Sequence, residues 1–515
     1  MCGILFSNNP KVNKSTFSAA LNLMRHRGPD APPGIWQNDH VRMGHNRLKI
    51  QDIDDRSNQP FWSKDGRYAI IFNGEIYNFN ELAQKYKITQ STTSDTEVLV
   101  ELFALLGHKM LHQLNGMFAM IIYDNLSNDV FIARDRLGIK PLYYTTQNGF
   151  DTFASEISSI LELIDNHKID PIGLRQYTKL RTFFRSHTIY EAVKMFPPGH
   201  YQLGGKLIRY WELPIGEQEA PDDDELMALL SDAVNCRLIS DVPVGSYLSG
   251  GLDSTIIAGL AKKPHTWTVG FKNCNEFKWA KIASNEFASQ HTEVLITEDE
   301  FISLLKKMIQ KRREPFSVPN EILLYKMTKA VKKKNTVVLS GEGADELFFG
   351  YDRIFRWANS SKWDLEKFSQ FYSYGSNSDL EIVEYVLEPF LHLKNPIDIV
   401  AHFFQLSHLH GLLRRLDNAT MLCSVEARVP FVDHRLVERM AGVPFNYRIN
   451  NGIVKHPLKT ICSHIVPAEI INRKKIGFPV PLENIPFPVN NKNDTPMDKW
   501  LNFNLQELEK SSINP

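Results

Sequence analysis

Residues 244–254 read VGSYLSGGLDS, and this stretch decides the fold of the second half of the chain. Its apolar start, 244–248, predicts a short strand, and a helical pattern over 254–262 follows two consecutive glycines. Further strands are predicted at 266–271, 292–296 and 336–339, and helices at 224–239, 278–289 and 321–334. Strands that alternate with helices of this length predict an α/β domain whose parallel sheet carries helices on both faces. Beyond about residue 350 the pattern is mostly helical as far as Arg448.

The glycine turn at 249–254 has the chemistry of an anion site. Two glycines between a strand and a helix leave backbone N–H groups free to converge on an anion, and the helix dipole helps. Ser249 and Ser254 add hydroxyl donors. Asp253 would repel a phosphate, so a carboxylate at this place indicates Mg²⁺. A tight turn that Asp253 merely caps explains the motif alone equally well, and no lysine follows the glycines as it would in a P-loop.

A second acidic loop, SGEGADE at 340–346, comes directly after the predicted strand 336–339. Open α/β sheets bind ligands at the carboxyl ends of their strands, which is where both loops lie. Asp345 is therefore the natural second ligand for Mg²⁺. Two such loops on one sheet predict a nucleotide phosphate site far more strongly than either motif alone.

The first half of the chain has the pattern of an α+β domain. Short apolar runs at 69–72, 118–123, 130–133 and 142–144 are separated by turn residues, with helical stretches near 15–25, 95–107 and 155–164. A Pro- and acid-rich connector at 214–225 ends this pattern. We predict a first domain over 2–205, a linker over 206–224, a second domain over 225–485 and a polar, partly disordered tail over 486–515.

A set of residues in the first domain predicts nucleophilic chemistry. Cys2 follows the initiator Met, and removal of that Met would give its thiol a neighbouring α-amino group as general base. Arg47 could hold a carboxylate with a bidentate fork. Asn73 and Gly74 follow a strand and could face one oxyanion. Asp95 could receive an ammonium group or cap the helix that it opens. Cys2 alone is better explained as an early strand residue, but together these residues favour a catalytic thiol.

These residues belong to motifs that resemble the N-terminal-nucleophile glutaminase domain of glutamine-dependent asparagine synthetases. The motifs are CGI at 2–4, RHRGPD at 25–30, FNGEIYN at 72–78, SDTE at 94–97 and ARDRLGIKPLYY at 133–144. The resemblance implies an α-β-β-α Ntn-hydrolase sandwich, in which Cys2 attacks the glutamine amide and forms a γ-glutamyl thioester. Asn73 and Gly74 would form the oxyanion hole. The implied glutamine-binding residues are Arg47, Leu48, Ile50, Asn73, Gly74, Glu75 and Asp95.

The second half resembles the ATP pyrophosphatases, which cleave ATP between the α- and β-phosphates. SVEARVPFVDH at 424–434 and RKKIGF at 473–478 extend the asparagine synthetase resemblance over about 2–482. It implies a Rossmann-like parallel-sheet domain with added helices, Mg²⁺ held by Asp253 and Asp345, and Glu342 acting on the acceptor or the incoming amine. Lys475 would neutralise charge on the α-phosphate and the departing pyrophosphate. The implied ATP-binding residues are Leu248, Ser249, Gly250, Gly251, Asp253, Ser254, Val269, Ser340 and Gly341.

The function that this resemblance implies is transfer of ammonia from glutamine to an ATP-activated carboxylate, expected to be aspartate. Arg313 and Val318 stand where the family usually has acids, and Asn418 where it usually has an arginine. The acceptor could therefore be another carboxylate, such as a sugar uronate of surface polysaccharide. A catalytically silent relative would not need its Cys2 and Lys475, and β-lactam-forming synthetases lack the N-terminal cysteine.

The length and composition of the chain limit the classes of partner that it can bind and the compartment in which we expect it. With 515 residues the chain is long enough for two or three domains. Lys+Arg and Asp+Glu are both 59, so no global basic field attracts nucleic acid or a membrane. No stretch resembles a signal peptide or a membrane span. Five scattered cysteines indicate a reducing compartment. We expect a cytoplasmic enzyme that takes glutamine, ATP, Mg²⁺ and a carboxylate; a homodimer stays open.

Overall fold

The computed structural model describes residues 2–474, 477–488 and 494–513, and its first half is a sandwich of two antiparallel sheets. In spatial order, the first sheet contains the strands Lys194–Met195, Tyr143–Gln147, Phe150–Ala154, Gly3–Ser7, Arg42–Asn46 and Gly34–Gln37. The second contains Lys206–Arg209, His200–Leu203, Val130–Arg134, Gly116–Asp124, Tyr68–Ile76 and Phe61–Trp62. The helices of this half are Lys14–Leu23, Phe79–Lys85, Asp95–Leu106, Ile157–Leu161 and Pro171–Leu180.

Alternation along the strands creates the layers of the sandwich, because successive side chains of a strand point to opposite faces. Ile4 belongs to an apolar cluster between the two sheets. Its neighbour Leu5 faces outward, in one core with residues of the helix Lys14–Leu23. On the second sheet, Phe72 packs in one cluster with residues of the helix Asp95–Leu106. The α-β-β-α arrangement implied by the family resemblance is therefore confirmed.

The second half is built on a parallel sheet in which the strand Val244–Tyr247 is central. The chain first adds His265–Gly270 and Gln290–Leu295 on one side, then returns to add Val337–Leu339 and Glu426–Arg428 on the other. The order therefore reverses between Val244–Tyr247 and Val337–Leu339. In open α/β sheets this switch point is where a crevice forms and ligands bind. The expected Rossmann-like sheet is confirmed.

Helices surround this sheet and extend it into a largely helical region. In chain order they are Asp223–Cys236, Leu252–Leu260, Phe277–Phe287, Glu298–Arg312, Asn320–Val331, Ala344–Leu347, Asp352–Ser360, Leu365–Tyr372, Leu380–Leu387, Pro396–His402, Leu409–Met421, His434–Met440, Phe445–Arg448, His456–Ile461, Ala468–Ile471 and Pro496–Ile513. A π-helical turn, Phe403–His408, joins two of them. Within the described residues, no helix has both the length and the apolar character needed to span a bilayer.

The boundary between the two halves lies later than predicted. Residues 206–209 were expected to begin a linker, but the strand Lys206–Arg209 pairs antiparallel with His200–Leu203 and extends the second sheet. Its four residues are exposed, so no apolar pattern distinguishes it from a linker. The glutamine-side unit therefore continues at least to Arg209.

The expectation of a polar, partly disordered tail is wrong for residues 496–513. The helix Pro496–Ile513 packs against the helix Glu298–Arg312. It buries Trp500 and Phe503, both at 0% exposure. Asn504 accepts a hydrogen bond of 3.0 Å from the N–H of Phe316. The segment was predicted to be disordered because it is rich in Asn and Lys. Its few large apolar side chains nevertheless pack the helix against the rest of the protein.

Candidate functional site

Most of the predicted glutamine-binding residues surround one pocket at the edge of the sandwich. Ile50 and Asn73 are not among the lining residues, and the side chain of Ile50 packs in an apolar cluster with Val337 and Met421, so its assignment stays a prediction. The pocket is lined by Cys2, Arg47, Leu48, Gln51, Ser57, Gln59, Phe72, Gly74, Glu75, Ser94, Asp95 and Thr96. Gln51, Ser57 and Gln59 were not predicted, because no motif distinguishes them from ordinary loop residues, and Thr96 belongs to the motif at 94–97 but was given no role.

Cys2 lies in this pocket directly before the strand Gly3–Ser7. Burial raises the pKa of its thiol, while the N–H of Leu48 hydrogen-bonds to the sulfur and opposes that shift. The N–H of Cys2 donates to Asn73 Oδ1 at 3.0 Å, which fixes the amide of Asn73 beside the thiol. Asn73 Nδ2 is then a buried donor without a partner among the described residues. A free donor beside a nucleophile is the arrangement that stabilises an oxyanion.

Gly74 is a glycine for a steric reason. A Cβ atom at this position would lie 2.1 Å from the carbonyl oxygen of Met117 and 2.8 Å from the Cα of Phe118. The next residue, Glu75, is buried and receives a hydrogen bond from the side-chain amide of Gln51. Burial raises the pKa of Glu75, although the nearby cation Arg428 opposes the shift.

Arg47 and Asp95 both line the pocket. The guanidinium of Arg47 donates to the carbonyl oxygen of Asp54 at 2.6 Å and to Asn58 Oδ1 at 2.9 Å. Asp95 does not cap its helix, because the side chain of Ser94 accepts the hydrogen bond at the N-cap. Asp95 instead accepts the N–H of Ile76 at 2.9 Å. Burial raises its pKa to about 6, so it is mostly ionised at neutral pH and can receive an ammonium group.

The turn at 249–254 needs glycine at position 250 because of its backbone conformation and its close contact with Trp279. Gly250 has φ +71°, and a Cβ on it would lie 2.2 Å from the backbone carbon of Trp279. The N–H of Gly251 donates to Ser249 Oγ at 3.2 Å, and this hydroxyl lies 3.1 Å from Ser254 Oγ. The turn leads into the helix Leu252–Leu260, so its amides and hydroxyls gather at a helix N-terminus.

Asp253 and Asp345 meet at one cation, the ammonium group of Lys455. Lys455 Nζ lies 2.7 Å from Asp253 Oδ1 and 2.5 Å from Asp345 Oδ1. Burial would lower the pKa of Lys455, but the two carboxylates outweigh it and raise that pKa above its usual value. The predicted convergence of the two loops is therefore observed. Lys455 was missed, since it precedes the short helix His456–Ile461 without a recognisable motif.

The donor set fits a magnesium ion. Carboxylate oxygens are the ligands that Mg²⁺ prefers, and the ion is usually completed by substrate phosphates and water rather than by a protein cage. Two carboxylates beside a phosphate-type turn match this pattern.

The other predicted nucleotide residues lie around this crevice. Leu248 and Val269 are buried, and the N–H of Leu248 donates to the carbonyl of Trp267 at 2.8 Å. The N–H of Ser340 donates to the carbonyl of Arg428 at 2.9 Å. A Cβ on Gly341 would lie 3.1 Å from the Cβ of Asp253, so the two loops touch.

Of the two predicted catalytic residues of this half, Glu342 is described by the structure and Lys475 is not. Glu342 forms an ion pair with Arg415 of the helix Leu409–Met421, a partner that the sequence did not suggest. Arg415 also donates to Asn320 Oδ1 at 3.1 Å. Glu342 is thus held beside Asp345 by a cation from another element. Lys475 lies outside the described residues.

Buried charges connect the two halves. Arg27 Nε donates to the carbonyl of Cys2 at 3.1 Å, and its Nη1 lies 3.2 Å from Glu156 and 2.9 Å from Asp417. Arg312 of the second half reaches the same Glu156 oxygen at 2.6 Å. Burial would raise the pKa of Glu156, but these cations hold it well below its usual range. This network was missed, because its charges lie far apart in the sequence.

Comparison with known proteins accounts for both halves. The sequence model of the glutamine amidotransferase domain matches residues 1–211, and that of asparagine synthase matches residues 225–502. The chain belongs to the asparagine synthase family. Asparagine synthetase 1 (glutamine-hydrolysing) of Bacillus subtilis is 32% identical, over 99% of this chain and 90% of its own length. Asparagine synthetase B of Escherichia coli is 28% identical, over 88% of this chain and 77% of its own.

Among solved structures, the glutamine phosphoribosylpyrophosphate amidotransferase of Bacillus subtilis aligns with a TM-score of 0.32 and 14% identity, covering 57% of this chain and 81% of that one. Within the asparagine synthase family, this chain combines a glutamine amidotransferase domain with a synthase domain, as the sequence motifs predict. Arg428, within the motif at 424–434, is fully buried and pairs with Glu426 at 2.5 Å.

Proposed function

We propose that the chain is a glutamine-hydrolysing asparagine synthetase, which makes asparagine, glutamate, AMP and pyrophosphate from aspartate, glutamine and ATP. The observation that carries the proposal is the meeting of Asp253 and Asp345 at one cationic nitrogen, at the switch point of the parallel sheet. A divalent ion and a triphosphate need such a place. The thiol pocket in the other half supplies the nitrogen.

In the glutamine half, the thiolate of Cys2 attacks the side-chain amide carbon of glutamine. Burial disfavours that thiolate, so a base is needed, and we infer that the α-amino group freed by removal of Met1 serves. Asn73 Nδ2 and the N–H of Gly74 stabilise the oxyanion, ammonia leaves, and water hydrolyses the thioester to glutamate. Arg47 holds the carboxylate of glutamine and Asp95 holds its ammonium group.

In the ATP half, an oxygen of the acceptor carboxylate attacks the α-phosphorus, and the bond to the β-phosphate bridging oxygen breaks. Mg²⁺, held by Asp253 and Asp345, would neutralise charge on the phosphates. The amides of the 249–254 turn bind the pyrophosphate portion, with Lys475 assigned to the same task. Ammonia then attacks the acyl carbon of the adenylate, AMP departs, and Glu342 would accept the proton that ammonia loses.

The acceptor is the part of the proposal that most needs a test. Asn418 is buried, with its Oδ1 unpartnered in the described part of the chain, so this position contributes no cation. Arg313 points toward His167 of the first half, 3.5 Å away. Neither position therefore selects for aspartate, and sugar uronates remain the competing acceptors.

Mass spectrometry of products decides between them. The enzyme is incubated with ATP, Mg²⁺, glutamine and one acid at a time from a panel containing aspartate and uronates. We expect asparagine, AMP and pyrophosphate in equal amounts with aspartate. Glutamate release without AMP from any acid would contradict the proposal.

The absence of disulfides among five free cysteines supports a cytoplasmic location.

A further inference from the structure

Asp52 lies beside the pocket that contains Cys2, and three of its polar groups bind three different segments of the chain. Its carbonyl oxygen accepts a hydrogen bond from the guanidinium of Arg47, and its carboxylate accepts the N–H of Thr93 at 2.9 Å. Its own N–H donates to Asp241 Oδ2 at 2.7 Å. Asp52 is only 3% exposed, so water cannot readily replace these partners.

Two of these contacts lead to the two residues that are proposed to hold glutamine. Arg47 also donates to the carbonyl oxygen of Gln51 at 3.3 Å, so two consecutive residues of one loop fix its guanidinium. Thr93 lies two residues before Asp95, at the start of the same helix. A displacement of Asp52 would therefore change the separation between Arg47 and Asp95.

The backbone conformation of Asp52 needs support from its surroundings. Its φ is +44°, in the left-handed region that residues other than glycine rarely adopt. Such a conformation persists where neighbouring groups hold it in place. Burial would raise the pKa of Asp52, but the hydrogen bonds from Thr93 and Arg56 outweigh it and lower that pKa, so its carboxylate is charged at neutral pH. The N–H of Asp52, in contrast, depends on the carboxylate of Asp241.

Asp241 reaches Asp52 from the second half of the chain. Its N–H donates to the carbonyl oxygen of Ile50 at 2.9 Å, while its carboxylate accepts the N–H of Asp52. Asp241 thus holds the backbone on both sides of Gln51, which lines the pocket. The strand Val244–Tyr247, which leads to the glycine turn, begins three residues after Asp241. Asp241 itself is exposed, so its carboxylate has no part in packing a core.

We propose that Asp241 is a positioning residue for glutamine, which the second half of the chain supplies to the first. Through Asp52 it sets the separation of Arg47 and Asp95. The inference rests on the proposed function, since it takes these two residues to hold the carboxylate and the ammonium group of glutamine. Cys2 is held by different contacts, so its attack on the amide does not depend on Asp241.

The variant Asp241→Ala tests the inference by the kinetics of glutamate release from glutamine. It removes the hydrogen bond to Asp52 and keeps the backbone bond to Ile50. Because the lost bond is charge-assisted but its acceptor is exposed, KM for glutamine should rise about three- to tenfold, with kcat unchanged. Asp241→Asn keeps an oxygen acceptor for the N–H of Asp52 and should have a KM close to that of the wild type.

Asp222→Ala is the matched control. Asp222 is another exposed aspartate of the second half, and its carboxylate accepts the N–H of Glu225 at 2.8 Å. This variant loses a hydrogen bond of the same kind, but at the start of the helix Asp223–Cys236 rather than beside the pocket. Its KM for glutamine should equal that of the wild type, and its thermal transition should match that of Asp241→Ala.

Alkylation of Cys2 gives a second readout that a general loosening of the pocket would not reproduce. The diazoketone analogue of glutamine carries the α-carboxylate and α-ammonium groups, whereas iodoacetamide carries neither. In Asp241→Ala, the concentration of diazoketone that gives half-maximal inactivation should rise by the same factor as KM. The rate constant for alkylation of Cys2 by iodoacetamide, followed by mass spectrometry, should not change.

The outcomes separate the inference from the proposed function. An unchanged KM in Asp241→Ala, an equal rise in Asp222→Ala, or equal changes with both alkylating reagents would overturn the positioning role and leave the proposed function intact. If the wild-type enzyme releases no glutamate from glutamine and resists the diazoketone, the proposed function fails, and the role of Asp241 fails with it.

Discussion

Replacing Lys455 by methionine should destabilise the protein and create a magnesium-dependent stability. The variant removes the ammonium between Asp253 and Asp345 and leaves two carboxylates facing each other. Breaking a buried ion pair costs about 3–5 kcal/mol. The carboxylates here are 24% and 23% exposed, so water screens part of that repulsion. We expect a loss of about 2 kcal/mol, which lowers the melting temperature by about 2 °C when the chain of 515 residues unfolds as one unit.

Magnesium should restore most of this loss in the variant. For a site of about millimolar affinity, about 10 mM Mg²⁺ contributes about 1.4 kcal/mol through its binding to the folded state. In the wild type, Lys455 competes with the ion for the same oxygens, so the gain without ATP should be much smaller. Because the folded pKa of Lys455 is raised, its own contribution is complete below about pH 10.4 and is lost only above that value.

Scanning calorimetry at pH 8, with EDTA or with Mg²⁺ at constant ionic strength, measures both effects. Lys459→Met is the matched control, since Lys459 lies in the short helix that Lys455 precedes and has no ion pair in the described part of the chain. The reasoning is refuted if Mg²⁺ raises the melting temperature equally in wild type and both variants. It is also refuted if Lys455→Met is as stable as wild type in EDTA.

Three further outcomes are expected. Cys2→Ala should abolish glutamate release but leave ammonia-dependent amide synthesis, and loss of both would contradict separate sites. Gly250→Ala should reduce ATP-dependent pyrophosphate release at least about tenfold, because the added Cβ would collide with the backbone of Trp279. Glutaminase activity should be retained. Unchanged pyrophosphate release would refute the role of the turn. Glu156→Gln should cost about 3–5 kcal/mol in urea unfolding, against about 0–1 kcal/mol for the exposed control Glu388→Gln. Because the folded pKa of Glu156 is depressed, its contribution exists above about pH 4.3 and should fade as pH falls below that value.

The sequence predicts what local rules control. The proximity of Asp253 and Asp345 could be predicted from the sequence, because each residue follows a strand of one parallel sheet. The carboxyl ends of such strands lie at the same edge of the sheet. The proposed oxyanion role of Asn73 was likewise inferred from a local pattern, an Asn-Gly pair that follows a predicted strand. The contact of Lys455 with these two residues could not be predicted. No sequence pattern around Lys455 indicates that it would lie beside loops more than a hundred residues earlier in the chain.

The strand Glu426–Arg428 shows the same limit in the fold. Its residues are two charges and an alanine, so no apolar pattern marks it as buried. It is buried because Glu426 and Arg428 neutralise each other inside the protein, a tertiary effect that overrides composition. The C-terminal helix that contains Trp500 is the opposite case. Its overall composition is polar, but a few buried apolar side chains, Trp500 among them, determine how it packs.

Arg428 explains why costly buried charges occupy the region between the two sites. Its Nη2 lies 3.6 Å from Glu75 Oε1 in the glutamine pocket, while its carbonyl accepts the N–H of Ser340 at the start of the acidic loop. An apolar residue could fill the same volume with less desolvation, but it would not fix a direction toward Glu75. Arg428 thus contacts the glutamine-side pocket through its side chain and the acidic loop through its backbone, so a shift of either site would disturb the other. The proposed amide transfer needs such a coupling, because one site would use the ammonia that the other releases.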